Sequence, residues 1–279
     1  MSNVSVLFRE ELDTEGELDV CKHYLHTSRY RSHLRNKLVI GRYSVLPFYQ
    51  ELEAELKSKG CWLINTYEQH CWIANVLDWA GDASLGISGA LTGMTPKSWS
   101  TWASLPPNTS FVVKGKTNSR KFEWNRRMFA KTRDDVPSIA RSLLDDTLVS
   151  DQGLVVREYI PLRKLDEGIN GLPVSEEWRC FFYKDRLLSK GFYWSNFPDV
   201  LDQVEWTTEA ENFVREAADK ARQHADFFVL DIARRADGGW VVIEVNDGQM
   251  SGLSLCDPHE LYQSLANTFQ VGRLSEVEE

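Results

Sequence analysis

Asp231, Glu244 and Asn246 are the residue types that hold a hard cation. Glu244 and Asn246 stand two apart in the run Trp240 to Asn246, which reads as a strand, so they face one side of a sheet. Asp231 lies in a second strand-like run, Phe227 to Ala233, and Asp237-Gly238-Gly239 between the two runs is a tight-turn signature. Folding back at that turn brings Asp231 across from the other two. Two carboxylates and an amide oxygen make an oxygen-rich set of the kind magnesium takes, with substrate phosphates completing its shell. Solvated acids on a surface hairpin would show the same spacing. The flanks argue against that: Phe227 to Leu230 and Val241 to Val245 are nearly continuous apolar runs. Acids inside strands buried on both faces need a partner or a metal.

Three other segments carry groups suited to a polyphosphate nucleotide. Phe111-Val112-Val113-Lys114 reads as a strand ending in a lysine that can neutralise phosphate charge. The loop behind it, Gly115-Lys116-Thr117-Asn118-Ser119-Arg120-Lys121, offers backbone N–H and hydroxyl donors, although it lacks the P-loop pattern. A second strand, Leu154 to Tyr159, brings Glu158, Tyr159 and Ile160 together, a carboxylate and backbone groups that can meet an adenine edge. Glu177-Trp178-Arg179 opens a hairpin whose second strand carries Lys190. Arg179 shares its strand face with Phe181 and Tyr183, where a charge needs a partner. A triphosphate or acyl phosphate matches the guanidinium fork, and so does an internal ion pair with Glu177 or Glu244.

The elements that must position these groups fall into two patterns. Before residue 95, Val4 to Phe8, Leu38 to Gly41 and Trp62 to Asn65 read as strands. A helix between the last two, opened by Pro47, carries Phe48, Leu52 and Leu56 on its apolar face. Strand, helix, strand predicts a small α/β layer with a parallel sheet. The stretch Thr92 to Asn108, punctuated by Gly93, Pro96 and the pair Pro106-Pro107, marks the expected junction. Beyond it come a helix at Pro137 with Ile139, Leu143 and Leu144, and the two hairpins. Thr208 and Glu211 predict a capping box for a helix carrying Phe213, Val214, Ala217 and Ala221. Leu261, Leu265 and Phe269 mark a closing helix. This second part reads as antiparallel hairpins with helices on one side, an α+β pattern.

The chain has 279 residues, 42% of them hydrophobic, enough for a substantial core, and a net charge of -9. That balance argues against general nucleic-acid binding, which needs a basic surface. Five cysteines, an odd number with no C-x-x-C pair, argue against a disulfide framework. No run approaches the ~20 apolar residues of a membrane span, and the start shows no secretory pattern, so the expected address is cytoplasmic. The six histidines form no H-E-x-x-H motif, and no covalent protein nucleophile stands out.

Taken in order, the lysine strand, phosphate loop, hinge strand, E-x-R hairpin and final D…E-x-N hairpin resemble the ATP-grasp superfamily. The most specific part is Asp231 with Ile243-Glu244-Val245-Asn246-Asp247-Gly248 and Gly252. Lys114, Lys121-Phe122 and Glu177-Trp178-Arg179 are similar to a divergent clade named for one arginine and two lysines. That clade includes a eukaryotic cell-division and initiation-factor assembly protein. The resemblance implies an α/β N-terminal lobe over residues 1–94, then an α+β ATP-grasp fold over 95–279 whose two subdomains clasp ATP. It implies that Lys114 and Lys121, with Lys116 beside them, contact ATP phosphates. Glu158 and the Tyr159 and Ile160 backbones hold adenine, and Arg179 and Lys190 face the transferred phosphate. Asp231, Glu244 and Asn246 bind two magnesium ions. One departure stands out: Lys116 to Arg120 replaces the usual glycine-rich loop with bulkier residues. Asp166 and Glu167 are the candidates for the ribose carboxylate.

The implied activity is ATP-dependent ligation of a carboxylate to an amine through an acyl phosphate, on an amino acid, peptide or protein. An ATP-binding assembly clamp without turnover and a kinase are the alternatives. Arg42, Tyr43, Asn65, Tyr67 and His70, near strand ends of the first lobe, are the candidates for acceptor binding.

Overall fold

The computed structural model describes residues 3–9, 16–42, 48–80, 91–94, 99–116, 119–146, 149 and 153–275. Tyr43, Thr117 and Asn118 lie outside them. The chain opens with β1 (Val4–Phe8), α1 (Glu17–Tyr24), β2 (His26–Ser28), β3 (Leu38–Arg42), α2 (Tyr49–Lys57) and β4 (Trp62–Leu63). The four strands form a parallel sheet in the order β2-β1-β3-β4. Parallel neighbours need crossover connections, which is where α1 and α2 fall. Leu52 and Leu56 of α2 are buried against this sheet, whereas Phe48 is 64% exposed, because the helix starts one residue after it.

Two short helices follow, α3 (Tyr67–Ala74) and α4 (Val76–Trp79). A capping box between Thr66 and Gln69 starts α3. Next come β5 (Leu91–Met94), β6 (Phe111–Gly115), β7 (Phe129–Ala130), α5 (Val136–Leu144) and β8 (Leu154–Glu158). The strands make an antiparallel sheet in the order β5-β8-β6-β7. Ile139, Ala140 and Leu143 of α5 bury against it with Phe111, Val113 and Val156. A two-stranded ribbon, β9 (Lys164–Glu167) and β10 (Pro173–Ser175), leads out of this layer.

The last sheet holds β11 (Glu177–Tyr183), β12 (Arg186–Phe192), β13 (Phe227–Arg234) and β14 (Trp240–Asp247), with α6 (Thr208–Ala221) and α7 (Pro258–Ser275) between and after them. It is antiparallel in the order β12-β11-β13-β14. The expectation of helices on one side is corrected here. Val214 and Ala217 of α6 pack with Cys180, Phe228 and Leu230 on one face. Leu261, Tyr262 and Leu265 of α7 pack with Phe181, Phe227, Val229 and β1 on the other. The run Phe227-Phe228-Val229-Leu230 is apolar at both parities, so both faces need covering.

The cap of α6 also differs from expectation. Thr207, not Thr208, accepts the Ala210 N–H (3.2 Å), and Glu211 accepts from Trp206 Nε1 (2.7 Å) instead of closing a box. Gly238, at φ +98°, makes the turn between β13 and β14. Gly191 on β12 is required by packing: a Cβ there would lie 2.1 Å from the Leu255 carbonyl carbon. That close approach seats the 252–256 segment against the sheet. No helix among the described residues is long and apolar enough to cross a membrane.

Candidate active site

The antiparallel sheet of β6 and β8 and the sheet of β11, β13 and β14 face each other across a cleft. Val112, Lys114, Arg157 and Glu158 line it from one side, and Glu177, Ile243 and Glu244 from the other. Part of its wall is apolar, built from Trp124, Met128, Leu162 and Leu172. Tyr159 and Ile160 line it as well, where the first sheet hands the chain to the second. The Tyr159 N–H already donates to the Ser110 carbonyl at 2.8 Å, so that amide is not available to a ligand without breaking a backbone bond.

Register aligns the polar groups. Arg179 is paired with Asp231, and Asp231 with Glu244, which puts three charges in one row across β11, β13 and β14. The Arg179 fork closes on Asp231 through Nε (2.9 Å) and Nη2 (2.8 Å), while Nη1 donates to the Gly252 carbonyl (2.8 Å). The pair is deep, with side-chain exposures of 11% and 0%. Asn246 Nδ2 donates to Asp231 Oδ2 (3.2 Å) and Glu244 Oε2 (3.5 Å). Lys114 reaches from the facing sheet to Glu244 Oε1 (2.5 Å). Five residues from four strands thus form one connected network. Two carboxylates and an amide meeting at one point are a hard-oxygen set that fits a divalent cation, and a half-turn of the Asn246 amide would present its oxygen there.

Neighbouring charges set the titration of this cluster. Burial alone would raise the Glu244 carboxyl, but Lys114 and Lys121 hold it well below the usual carboxylate range. Burial alone would strip the Lys121 proton, yet Tyr193, Glu244 and Glu177 keep it charged. Arg157 is lowered by burial, against the pull of Glu244 and Glu177.

Glu177 behaves differently: burial, helped by Asp231 and Glu244, pushes its carboxyl up to about 7. Its Oε1 is buried with no hydrogen-bond partner among the described residues. The folded state therefore keeps a proton that the unfolded chain releases near 4.5. Stability from this group is full below about pH 4.5 and declines as pH rises through about 7, by roughly 3 kcal/mol in all. Glu177→Gln should accordingly stabilise the nucleotide-free protein more at pH 8 than at pH 5. Urea denaturation at the two pH values checks this, and an equal gain at both would contradict it.

The structure sorts the expected site residues into groups. Lys114, Lys121, Glu158, Tyr159, Ile160 and Glu244 line the cleft, and Arg179, Asp231 and Asn246 adjoin it through the network. Lys116, half-buried at the exit of β6, is not among the cleft lining; its N–H donates to the Gly153 carbonyl at 3.3 Å. Lys190 is not brought to Arg179. It pairs with Cys180, on the opposite face of the sheet, and its Nζ lies 5.4 Å from the Trp206 ring centroid. Asp166 and Glu167 are exposed on β9 and outside the cleft.

The acceptor candidates of the first lobe mostly serve the framework. Arg42 is buried, held by Glu17 (3.0 Å to each oxygen) and by the carbonyls of Gly248 (2.6 Å), Gln249 (3.2 Å) and Ser251 (2.9 Å). Those carbonyls belong to the loop that ends at Gly252, the partner of Arg179, so Arg42 ties the first lobe to the charged row. Asn65 is buried and saturated by the Phe227 backbone and Asp247. His70 pairs with Asp247 (3.1 Å) and stacks on Tyr49 at 4.4 Å, and Tyr67 packs beneath the sheet edge.

Sequence reasoning did not single out Arg157, Trp124 or Tyr193, and read Glu177 only as a partner for Arg179. The alternation Glu177-x-Arg179 was the available signal for Glu177. None existed for Tyr193, whose place depends on two other strands.

Comparison with known proteins identifies the family and the fold. A family model described as an ATP-grasp domain, family 3 of the clade named for one arginine and two lysines, matches residues 102–265. Among solved structures, the D-cycloserine synthetase DcsG superposes with TM-score 0.63 at 16% identity, covering 95% of this chain and 99% of that one. D-alanine--D-alanine ligase from Bacillus anthracis, complexed with ATP, gives 0.58 at 14%, covering 99% of each. The ATP-grasp ligase PsnB, complexed with a phosphomimetic variant of its minimal precursor, Mg and ADP, gives 0.54 at 10%, covering 97% of each. At these identities the likeness is one of fold. No curated protein matches the sequence.

Proposed function

The chain belongs to the ATP-grasp domain family, in family 3 of the one-arginine, two-lysine clade, and from that premise we propose that it is an ADP-forming ligase joining a carboxylate to an amine on an amino acid, peptide or protein. The observation that carries this reading is the charged network Lys114–Glu244–Asn246–Asp231–Arg179, spanning both walls of the cleft beside an apolar slot.

Carboxylates react poorly with amines at neutral pH. Transfer of the γ-phosphoryl group to the carboxylate releases ADP and leaves an acyl phosphate, and attack by the amine then forms the amide and releases phosphate. The slot lined by Val112, Trp124, Met128 and Ile243 takes the adenine, with Glu158 and Ile160 at its edge. The unpartnered Glu177 Oε1 can accept from a nucleotide hydroxyl, the role that Asp166 and Glu167 are too exposed to fill. Lys114, Lys121 and Arg157 are the cations of the cleft wall. In this reading Lys114 exchanges Glu244 for phosphate when nucleotide enters.

Asp231, Glu244 and Asn246 would hold magnesium, which when bound neutralises and aligns the phosphates. Arg179 remains fixed by Asp231 and Gly252. Its fork has five N–H groups, of which three are engaged, leaving two for the oxygens that gain charge. The comparison with PsnB, whose structures include one complexed with a precursor peptide, supports a peptide substrate. The same chemistry on a free amino acid is supported by the resemblance to D-alanine--D-alanine ligase.

Purified protein with magnesium, ATP, a pool of amino acids and peptides, and hydroxylamine as a trap tests the reading. The expected result is pool-dependent ADP with a hydroxamate or a new amide mass. AMP in place of ADP would reject the acyl phosphate. A stable phosphorylated product would make the protein a kinase, and nucleotide binding without pool-dependent turnover would favour an assembly clamp.

A further inference from the structure

Tyr193 has no part in the chemistry above, yet it sits between two of its cations. It follows β12 directly and is fixed through its backbone. Its N–H donates to the Glu177 carbonyl at 2.9 Å, and its carbonyl accepts from the Ser195 N–H at 3.1 Å. The Trp194 ring stands edge-on to it at 5.2 Å. From this anchored position the ring meets Lys121, with Nζ 4.6 Å from its centroid, and Arg179, with Cζ 4.9 Å away. The two cations come from separate parts of the chain and converge on one aromatic ring.

The hydroxyl accepts a hydrogen bond from Lys121 Nζ at 2.7 Å. A phenol has one hydrogen to give, and Lys121, as an ammonium, cannot take it. No other hydrogen-bond partner of the hydroxyl occurs among the described residues. Burial raises the Tyr193 phenol, so the hydroxyl keeps its proton at neutral pH. The result is an O–H donor without an acceptor, flanked by a lysine and an arginine that repel each other. Two cations and a spare O–H donor converging at one point suit an anion. Arg179 is chelated to Asp231 and thus adjoins the proposed metal ligands, so the anion that belongs here is the phosphoryl group nearest the metal.

We propose that Tyr193 is a catalytic residue whose hydroxyl donates a hydrogen bond to an oxygen of the γ-phosphoryl group. The assignment rests on the ATP-dependent reading above. The proton stays on tyrosine throughout, so the hydroxyl orients and stabilises the group without acting as an acid.

Tyr193→Phe tests this with little risk to the fold, because it keeps the ring, its packing and the Arg179 contact; the Lys121 hydrogen bond is lost with the hydroxyl, and the ADP titration controls for that loss. Calorimetric titration of wild type and variant with magnesium-AMPPNP and magnesium-ADP reads the γ-group separately. Loss of one hydrogen bond to a charged group should weaken AMPPNP about 10-fold, while ADP stays within about twofold. Equal weakening of both nucleotides would mean that Tyr193 only props Lys121, and no change in either would mean that the hydroxyl does not meet the nucleotide. Each of those outcomes overturns the proposal. Nucleotide binding requires no acceptor, so wild-type protein that binds AMPPNP but gives no pool-dependent ADP would sink the ligase reading and leave the Tyr193 result readable.

Discussion

Asn246→Ala should abolish pool-dependent ADP formation while leaving the melting temperature nearly unchanged. Asn246 is half-buried at the end of β14, and among the described residues its amide makes two bonds, to Asp231 and Glu244. Truncation leaves Asp231 chelated by Arg179 and Glu244 paired with Lys114, so no buried charge loses its main partner. What is lost is one oxygen ligand. Outer-shell partners of metal sites contribute roughly 10–100-fold, and a direct ligand should contribute more. The loss should appear as a raised magnesium requirement, with ATP affinity measured without metal unaffected. Glu244→Gln should lose turnover too, but also weaken the junction between the two sheets, because Lys114 then faces a neutral amide. Wild-type turnover in Asn246→Ala would remove the metal assignment from this strand.

Arg179→Lys should lower kcat by about a thousandfold with little change in KM for ATP, since single arginines at phosphoryl-transfer centres are worth about 10³–10⁵ in rate. Removing the side chain altogether is a poor test. Arg179→Ala would leave the fully buried Asp231 carboxylate without its partner, at a cost of roughly 3–5 kcal/mol. Lysine keeps a positive charge beside Asp231 but cannot hold two of its oxygens, bridge to Gly252 and still present two N–H groups to phosphate. A kcat within a few-fold of wild type, in a variant that melts normally, would show that the guanidinium only braces Asp231.

Much of this site could be read from local pattern. The alternation of side chains along a strand places Glu244 with Asn246 on one face of β14. Unbroken apolar runs marked β13 and β14 as buried, which made their acids expensive unless employed. The helix errors were local as well: Phe48 and Thr208 each missed a helix boundary by one residue, because capping depends on backbone angles that neighbouring Thr and Phe residues do not announce.

Lys190 shows where local pattern stops. Its strand was expected, but its face depends on register. Trp178 pairs with Phe192 and Arg179 with Gly191, so Lys190 falls beside Cys180 on the far face. A shift of one residue would have put it next to Arg179. The register that excludes it is also the one that sets the bare Gly191 under Leu255, allowing the 252–256 segment to close and deliver the Gly252 carbonyl to Arg179.

The sequence by itself determined most of the strands that line the site and the helices that cover them, which residues share a strand face, and that the final hairpin brings two carboxylates and an amide together. These follow from the period of the backbone and from the cost of burying charge, and both act over a few residues. The tertiary structure alone decided that Lys114 meets Glu244, that Arg42 closes on the 248–251 carbonyls, and that Tyr193 stands between Lys121 and Arg179. Those contacts join residues far apart in the chain. They exist because register and the packing of helices on both faces of the last sheet fix where each strand end arrives, and no local periodicity encodes that.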